Sequence, residues 1–161
     1  MALSPAERSA LIDRYERGPA ALAAAWTRVP AEARQWRPGP ARWSAHEVVV
    51  HCADSEASAA LRIRFLLTED QARIQAYDQV RWAERLDYHA LPAEPALAAV
   101  AGVRAHTVPL LRRMTDADWQ RAGVHPESGP YSAERWLTIY AQHLEKHTGQ
   151  IERNLEAWRA R

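Results

Sequence analysis

Tyr140-Ala141-Gln142-His143-Leu144-Glu145-Lys146-His147-Thr148-Gly149-Gln150-Ile151 carries two histidines four residues apart inside a segment that reads as a long amphipathic helix. A helix turns about 100° per residue, so positions i and i+4 lie about 40° apart on one face, one turn above the other. Two imidazoles so placed can hold one metal ion. Such pairs also arise by chance, and most helical histidines bind nothing. Here the neighbours favour ligation. Steps of three, four and seven from His143 reach Trp136, Ile139, Tyr140, His147 and Gln150, and further on Ile151, Asn154, Leu155 and Trp158. The pair thus lies on or beside the buried stripe, where unpartnered ring nitrogens are costly.

A third ligand must come from elsewhere, and the best donor is His51, inside a second long helical segment from Ser44 to Thr68. Ser44-Ala45-His46-Glu47 fits a capping box at its start. Val48, Ser55, Ser58 and Arg62 fall near the azimuth of His51, so this face is small and polar, as suits a wet pocket. Asp54 follows three residues after His51 and can orient a ligand or meet a substrate. His46 lies in the first turn about 140° around the helix from His51, His89, His106 and His125 lack a paired spacing, and Cys52 points some 100° from His51, as a packed thiol would.

The remaining chain supplies two more rods. Ser4 to Arg17 reads as a helix ended or kinked at Gly18-Pro19, and Ala20 to Arg28 continues the same arm. Pro30, Pro38, Gly39 and Pro40 mark a loop with room for one helical turn near Ala31 to Gln35. Glu69 to Pro92 is long for a connection and is expected to hold short helices, with Tyr77-Asp78 and Trp82-Ala83-Glu84 as landmarks. Glu94-Pro95 opens a third helix that Pro109 should kink. Thr115 to Pro130 is a further break, after which Ser132 can cap the fourth helix, to about Arg159. Four long helices with two long connections predict an all-α four-helix bundle, a single domain over residues 1–161. In it the second and third helices run parallel and the second and fourth are neighbours.

Composition bounds the partners. The chain's 21 lysines and arginines nearly balance 20 acids, so neither nucleic acid nor a membrane surface is expected. One cysteine excludes an intramolecular disulfide and any Cys-rich zinc motif. Met1 to Arg8 has no apolar run like a signal peptide, and nowhere do about 18 apolar residues run together. A soluble, cytoplasmic protein acting on a small molecule is the expectation.

Trp43-Ser44-x-x-Glu47-Val48-x-x-His51-x-Ala53-Asp54-Ser55, followed by His143-x-x-x-His147-x-x-Gln150-Ile151, resembles the DinB-like superfamily, specifically its YfiT-like branch of metal-dependent hydrolases. The resemblance runs through Arg62, Thr68-Glu69-Asp70, Tyr77-Asp78, Trp82-Ala83-Glu84 and His125-Pro126-Glu127, covering roughly residues 36 to 155. It implies a four-helix bundle with long crossover connections, often a homodimer. It also implies a divalent metal, zinc or nickel, held by three histidines that match His51, His143 and His147. Characterised members of the family transfer low-molecular-weight thiols (bacillithiol, mycothiol, glutathione) to electrophiles, and one is a thiol-dependent maleylpyruvate isomerase. One departure is Glu56, where relatives commonly carry His or Asn, which bears on the polarity of the pocket.

Three neutral imidazoles leave a position open on a zinc- or nickel-type ion, the mark of a catalytic rather than a structural site. Such a position can activate water for hydrolysis or deprotonate a thiol. A zincin protease is a poor fit, because Leu144 stands where that motif needs Glu. The leading expectation is transfer of a small thiol to an electrophilic substrate. The alternatives are metal-hydroxide hydrolysis of a small ester or amide and a non-catalytic, metal-stabilised bundle. Asp54 and Asp78 are the candidate acids or bases; Arg62, Tyr77 and Trp82 are candidate substrate contacts, Arg62 for an anionic tail and the two aromatics as walls.

Overall fold

The structure, a computed structural model, describes residues 2–161. Met1, which belongs to the single domain expected over 1–161, lies outside the described residues. The chain runs α1 (Pro5–Thr27), a 3-10 turn (Ala31–Ala33), α2 (Ala45–Thr68), α3 (Gln79–Arg85), α4 (Ala93–Arg112), α5 (Asp116–Gln120), β1 (Ala122–His125), β2 (Gly129–Ser132) and α6 (Ala133–Arg159). The four long helices make a bundle.

Each start signal works as its chemistry requires. Ser44 Oγ accepts the Glu47 amide at 3.2 Å while a Glu47 carboxylate oxygen accepts the Ser44 amide at 2.9 Å. Arg37 braces that same carboxylate at 2.8 Å. Ser4 with Glu7 repeats the box at α1, and Ser132 Oγ takes the Arg135 amide at 3.1 Å to start α6. Four amides at a helix start lack internal partners, so these contacts fix where the rods begin.

Cross-helix contacts give the directions. Arg8 and Arg14 of α1 and Arg28 at its C-terminal cap reach Glu134, Glu145 and Glu152 of α6 in rising order, so the two run parallel. Glu56 and Arg64 of α2 meet Arg104 and Thr107 of α4, again in rising order. Between α2 and α6 the order reverses: Trp43 pairs with Asn154, Ser55 with His143 and Ala59 with Trp136. The second and third long helices are therefore parallel, and the second lies antiparallel beside the fourth. That antiparallel pairing brings His51 to the middle of α6.

Two expectations are corrected. Gly18-Pro19, expected to end or kink the helix, does not end α1, which continues to Thr27. Pro19 lacks the amide that would bond to the Tyr15 carbonyl four residues earlier. Arg104 Nη1, crossing from α4, donates to that carbonyl instead. Gly18 leaves room for it, because a Cβ there would lie 2.6 Å from Arg104 Nη1. The break from Thr115 to Pro130 is not irregular chain, as it holds α5 and a β-hairpin. β1 pairs antiparallel with β2, His125 opposite Gly129, whose φ of +69° suits glycine in the turn. The backbone of 72–74 joins the other side of β1, the Val124 amide donating to the Ala72 carbonyl at 2.9 Å and the Ile74 amide to the Val124 carbonyl at 2.9 Å. The hairpin carries His125 and Glu127 to the mouth of the cavity described below.

Candidate metal centre

His51 projects from the second turn of α2, and His143 and His147 project one turn apart from the middle of α6. Their ring centroids lie 5.6 Å (His51 to His143), 4.8 Å (His51 to His147) and 4.6 Å (His143 to His147) apart. One ring nitrogen from each lies within 4.8 Å of the others. Ligand bonds near 2 Å around one ion place donors about 3–4 Å apart, so small side-chain movements close the set.

The surrounding contacts decide which nitrogens are free. His143 Nδ1 lies 3.3 Å from Glu56 Oε1, and a carboxylate only accepts, so Nδ1 carries the proton and Nε2 is left for an ion. His147 Nδ1 lies 3.0 Å from the Gln150 amide oxygen, with the same consequence. Such outer contacts fix the tautomer and orientation of metal-binding histidines. His51 is 2 % exposed, Trp43 packs against it at 4.7 Å, and its Nδ1 finds no partner among the described residues. An unpartnered, buried imidazole facing two others is costly unless something binds there. The donor set therefore fits a divalent cation.

Electrostatics keep His51 and His147 in the ligating form. Burial, then the neighbouring imidazoles, pull His51 down to about 2. Burial and His143 pull His147 down to about 4. Both are neutral at pH 7. Burial pushes the Glu56 carboxyl up, but the hydrogen bond from His143 and the Arg104 guanidinium outweigh it and hold Glu56 below the usual carboxylate range. Arg104 grips Glu56 with Nε at 3.0 Å and Nη2 at 2.6 Å, and Nη2 also reaches the Tyr140 carbonyl at 2.9 Å. One guanidinium thus ties α1, α2 and α6 to α4 directly behind His143.

The three imidazoles open into a cavity of about 360 Å³ whose wall includes Ser55, Arg62, Tyr77, Ile139 and Tyr140, with His125 and Glu127 at the hairpin side. A larger depression of about 700 Å³, between 70–74 and 122–126, holds no imidazole and lies apart from this chemistry. Ser55 Oγ lies 3.3 Å from His143 Nε2. Arg62 donates to the Tyr140 hydroxyl at 3.1 Å and to the Gln75 carbonyl at 2.7 Å.

Five sequence candidates divide as follows. Arg62 and Tyr77 line the cavity. Trp82 does not line it; its ring stacks on Tyr77 at 4.4 Å and supports that wall from behind. Asp54 is turned away, its carboxylate accepting the Tyr88 hydroxyl at 2.6 Å. Asp78 is exposed and caps α3, accepting the Val80 and Arg81 amides at 3.0 Å each. Both carboxylates expected as acid or base are thus engaged elsewhere. Ser55 and Tyr140 enter the sequence reading only as neighbours on the two histidine faces and Glu56 only as a departure from the family, none with these contacts, and His125 carries little weight there. Gln150 was readable from its i+3 spacing after His147, whereas Glu56 lies about 140° around α2 from His51 and shows its role only once α6 is placed.

The sequence profile of the DinB superfamily matches residues 14–151. A protein of Oceanobacillus iheyensis, named provisionally as a metal-dependent hydrolase, is 36 % identical over 109 residues, which are 68 % of this chain and 63 % of that protein. The match thus spans less than two thirds of that relative's length. The solved structure of YfiT from Bacillus subtilis, presented as a metal-dependent hydrolase by inference and as having an unusual four-helix bundle topology, superimposes with a TM-score of 0.89 at 26 % identity. That superposition covers 95 % of this chain and 88 % of YfiT. The mycothiol-dependent maleylpyruvate isomerase shares the fold at a TM-score of 0.71 and 10 % identity, over 89 % of this chain and 60 % of the isomerase. No helix among the described residues is long and apolar enough to cross a membrane.

Proposed function

The chain belongs to the DinB superfamily, and from that premise we propose that it is an enzyme whose His51, His143 and His147 hold a zinc- or nickel-type ion and which joins a small thiol to an electrophilic small molecule. The observation that carries this reading is three imidazoles with ring nitrogens within 4.8 Å of one another, all lining one cavity. His51, His143 and His147 would hold the ion, which would supply an open position able to bind a thiol as thiolate.

The cavity wall offers apolar surface to an acceptor and, among the described residues, no carboxylate placed as a base. Proton abstraction from water calls for a positioned base in many hydrolases. Here Asp54 is bonded to Tyr88, Asp78 caps a helix and Glu56 is bound by Arg104. Glu127, the carboxylate that does line the cavity, is exposed. A thiol bound at an ion on His51, His143 and His147 would release its proton without such a base, as ion-bound water also can. Its sulfur would bond to the electrophilic carbon as the leaving group departs with the electron pair of the bond that breaks. Tyr77, Ile139 and Tyr140 provide apolar surface against which the acceptor rests, and Ser55 stands beside His143 to orient it. Hydrolysis of a small ester or amide is the second reading, supported by the names given to the relatives.

The test is steady-state turnover of ion-loaded protein. Bacillithiol, mycothiol or glutathione with monochlorobimane should give conjugate formation that His143→Ala abolishes. Release of nitrophenol from nitrophenyl acetate without thiol, and no conjugate under any pairing, would replace this reading with hydrolysis.

A further inference from the structure

We infer that the substrate or co-substrate seated in this cavity carries a carboxylate, and that Arg62 is the residue that selects it. The inference rests on the metal reading above and adds the chemical class of the ligand.

Arg62 lies eleven residues beyond His51 on α2, nearly on the same azimuth and about 16 Å farther along the axis. Helical side chains lean toward the N-terminus, so the long Arg62 side chain points back toward the imidazoles rather than away from them. Its Nη1 is fixed on the Tyr140 hydroxyl, and the Tyr140 ring lies 5.6 Å from the His143 ring. The guanidinium is therefore one aromatic ring removed from the proposed ion.

Its charge is uncompensated. Arg8, Arg37 and Arg104 each pair with a carboxylate, whereas Arg62 forms no ion pair among the described residues. Its partners are a phenol and a backbone carbonyl, both neutral, with the Tyr77 ring 5.7 Å from the guanidinium carbon and the Tyr131 hydroxyl beside it. Burial holds Tyr77, Tyr131 and Tyr140 above the usual phenol range, so none supplies a negative charge near neutral pH. Glu127 shares the cavity but is exposed and makes no ion pair with Arg62.

Arginine offers five N–H donors, and the contacts above use two. The buried Nε has no partner among the described residues. A cation held rigidly by neutral groups, with donors left over, is arranged for an anion that arrives with the ligand. A divalent ion on the three histidines would add positive charge to the same cavity and strengthen the preference. The ligand is thus bifunctional, with one end that meets the ion and a carboxylate that reaches Arg62.

Cobalt-loaded protein tests this without knowledge of the natural substrate, because thiolate binding to cobalt is visible by absorption. The probes are ω-mercaptoalkanoates of three to six carbons, the matching ω-mercaptoalcohols, and cysteamine. Wild-type protein should bind at least one carboxylate about tenfold tighter than the alcohol of the same length, with cysteamine weakest. Arg62→Met should erase the difference while leaving the cobalt spectrum in place, and Arg62→Lys should keep part of it. Equal binding of acid and alcohol by the wild type, or a preference unchanged in Arg62→Met, overturns the inference and leaves the metal reading standing. Wild-type protein that takes up no cobalt overturns both.

Discussion

Arg104→Met should be the most damaging single change outside the imidazoles. Arg104 and Glu56 are 1 % and 0 % exposed and are joined by two hydrogen bonds, at 3.0 and 2.6 Å. Removing the guanidinium leaves a buried carboxylate supported only by the longer contact with His143, at 3.3 Å. Breaking a buried pair from one side costs about 3–5 kcal/mol. The Tyr15 carbonyl, already without an amide partner because of Pro19, loses its donor as well, for about 1–3 kcal/mol more. A loss near 5 kcal/mol is a large part of the roughly 5–15 kcal/mol that holds a domain together. At about 2–4 °C per kcal/mol for a chain of this size it should lower Tm by about 10–20 °C.

Urea titration of the metal-free protein measures the loss as a change in midpoint at constant slope. Arg104→Lys, which keeps the charge but not the fork, should lose less. Adding Glu56→Gln to Arg104→Met should restore about 2 kcal/mol, since a neutral amide no longer strands a charge. A loss under about 1 kcal/mol, or two losses that simply add, would refute the role given to this pair.

Gln150→Ala removes the acceptor that holds His147 Nδ1 at 3.0 Å, and should weaken ion binding about 10–100-fold in a chelator competition while leaving the helix content unchanged. The metal-free protein should lose stability in mild acid. Burial and the neighbouring imidazoles pull His51 down to about 2 and His147 to about 4, so the folded chain stays unprotonated where the unfolded chain, titrating near 6.5, takes up protons. Stability from these groups is therefore complete above about pH 6.5 and falls as pH drops toward 4, at a limiting slope of about 1.4 kcal/mol per pH unit for each histidine. Denaturation midpoints measured between pH 7 and 4.5 should show that slope, and His51→Ala should flatten it.

The rods and their caps were legible because each rests on local chemistry. The Ser44 box, Ser132 and the His143/His147 spacing are read within a single turn of helix. The parallel pairing of α2 and α4 followed from connection length. What escaped depends on contacts between distant segments. Pro19 looks like a break until Arg104 arrives from α4 to satisfy the Tyr15 carbonyl. Asp54 shares the right helix with His51, yet Tyr88 takes its carboxylate. Asp78 sits in a plausible landmark but serves the first turn of a short helix. The hairpin hid in a Gly- and Pro-containing stretch whose alternation spans four residues per strand, and it carries His125 and Glu127, histidine and carboxylate without helical spacing, to the cavity.

Elemental analysis of untagged protein, alongside His51→Ala, His143→Ala and His147→Ala variants shown by circular dichroism to remain folded, addresses the three-imidazole site directly. The account predicts about one divalent ion per wild-type chain and almost none in each folded variant. Wild-type protein that holds no ion after exposure to zinc and nickel, or variants that keep as much as the wild type, would contradict it.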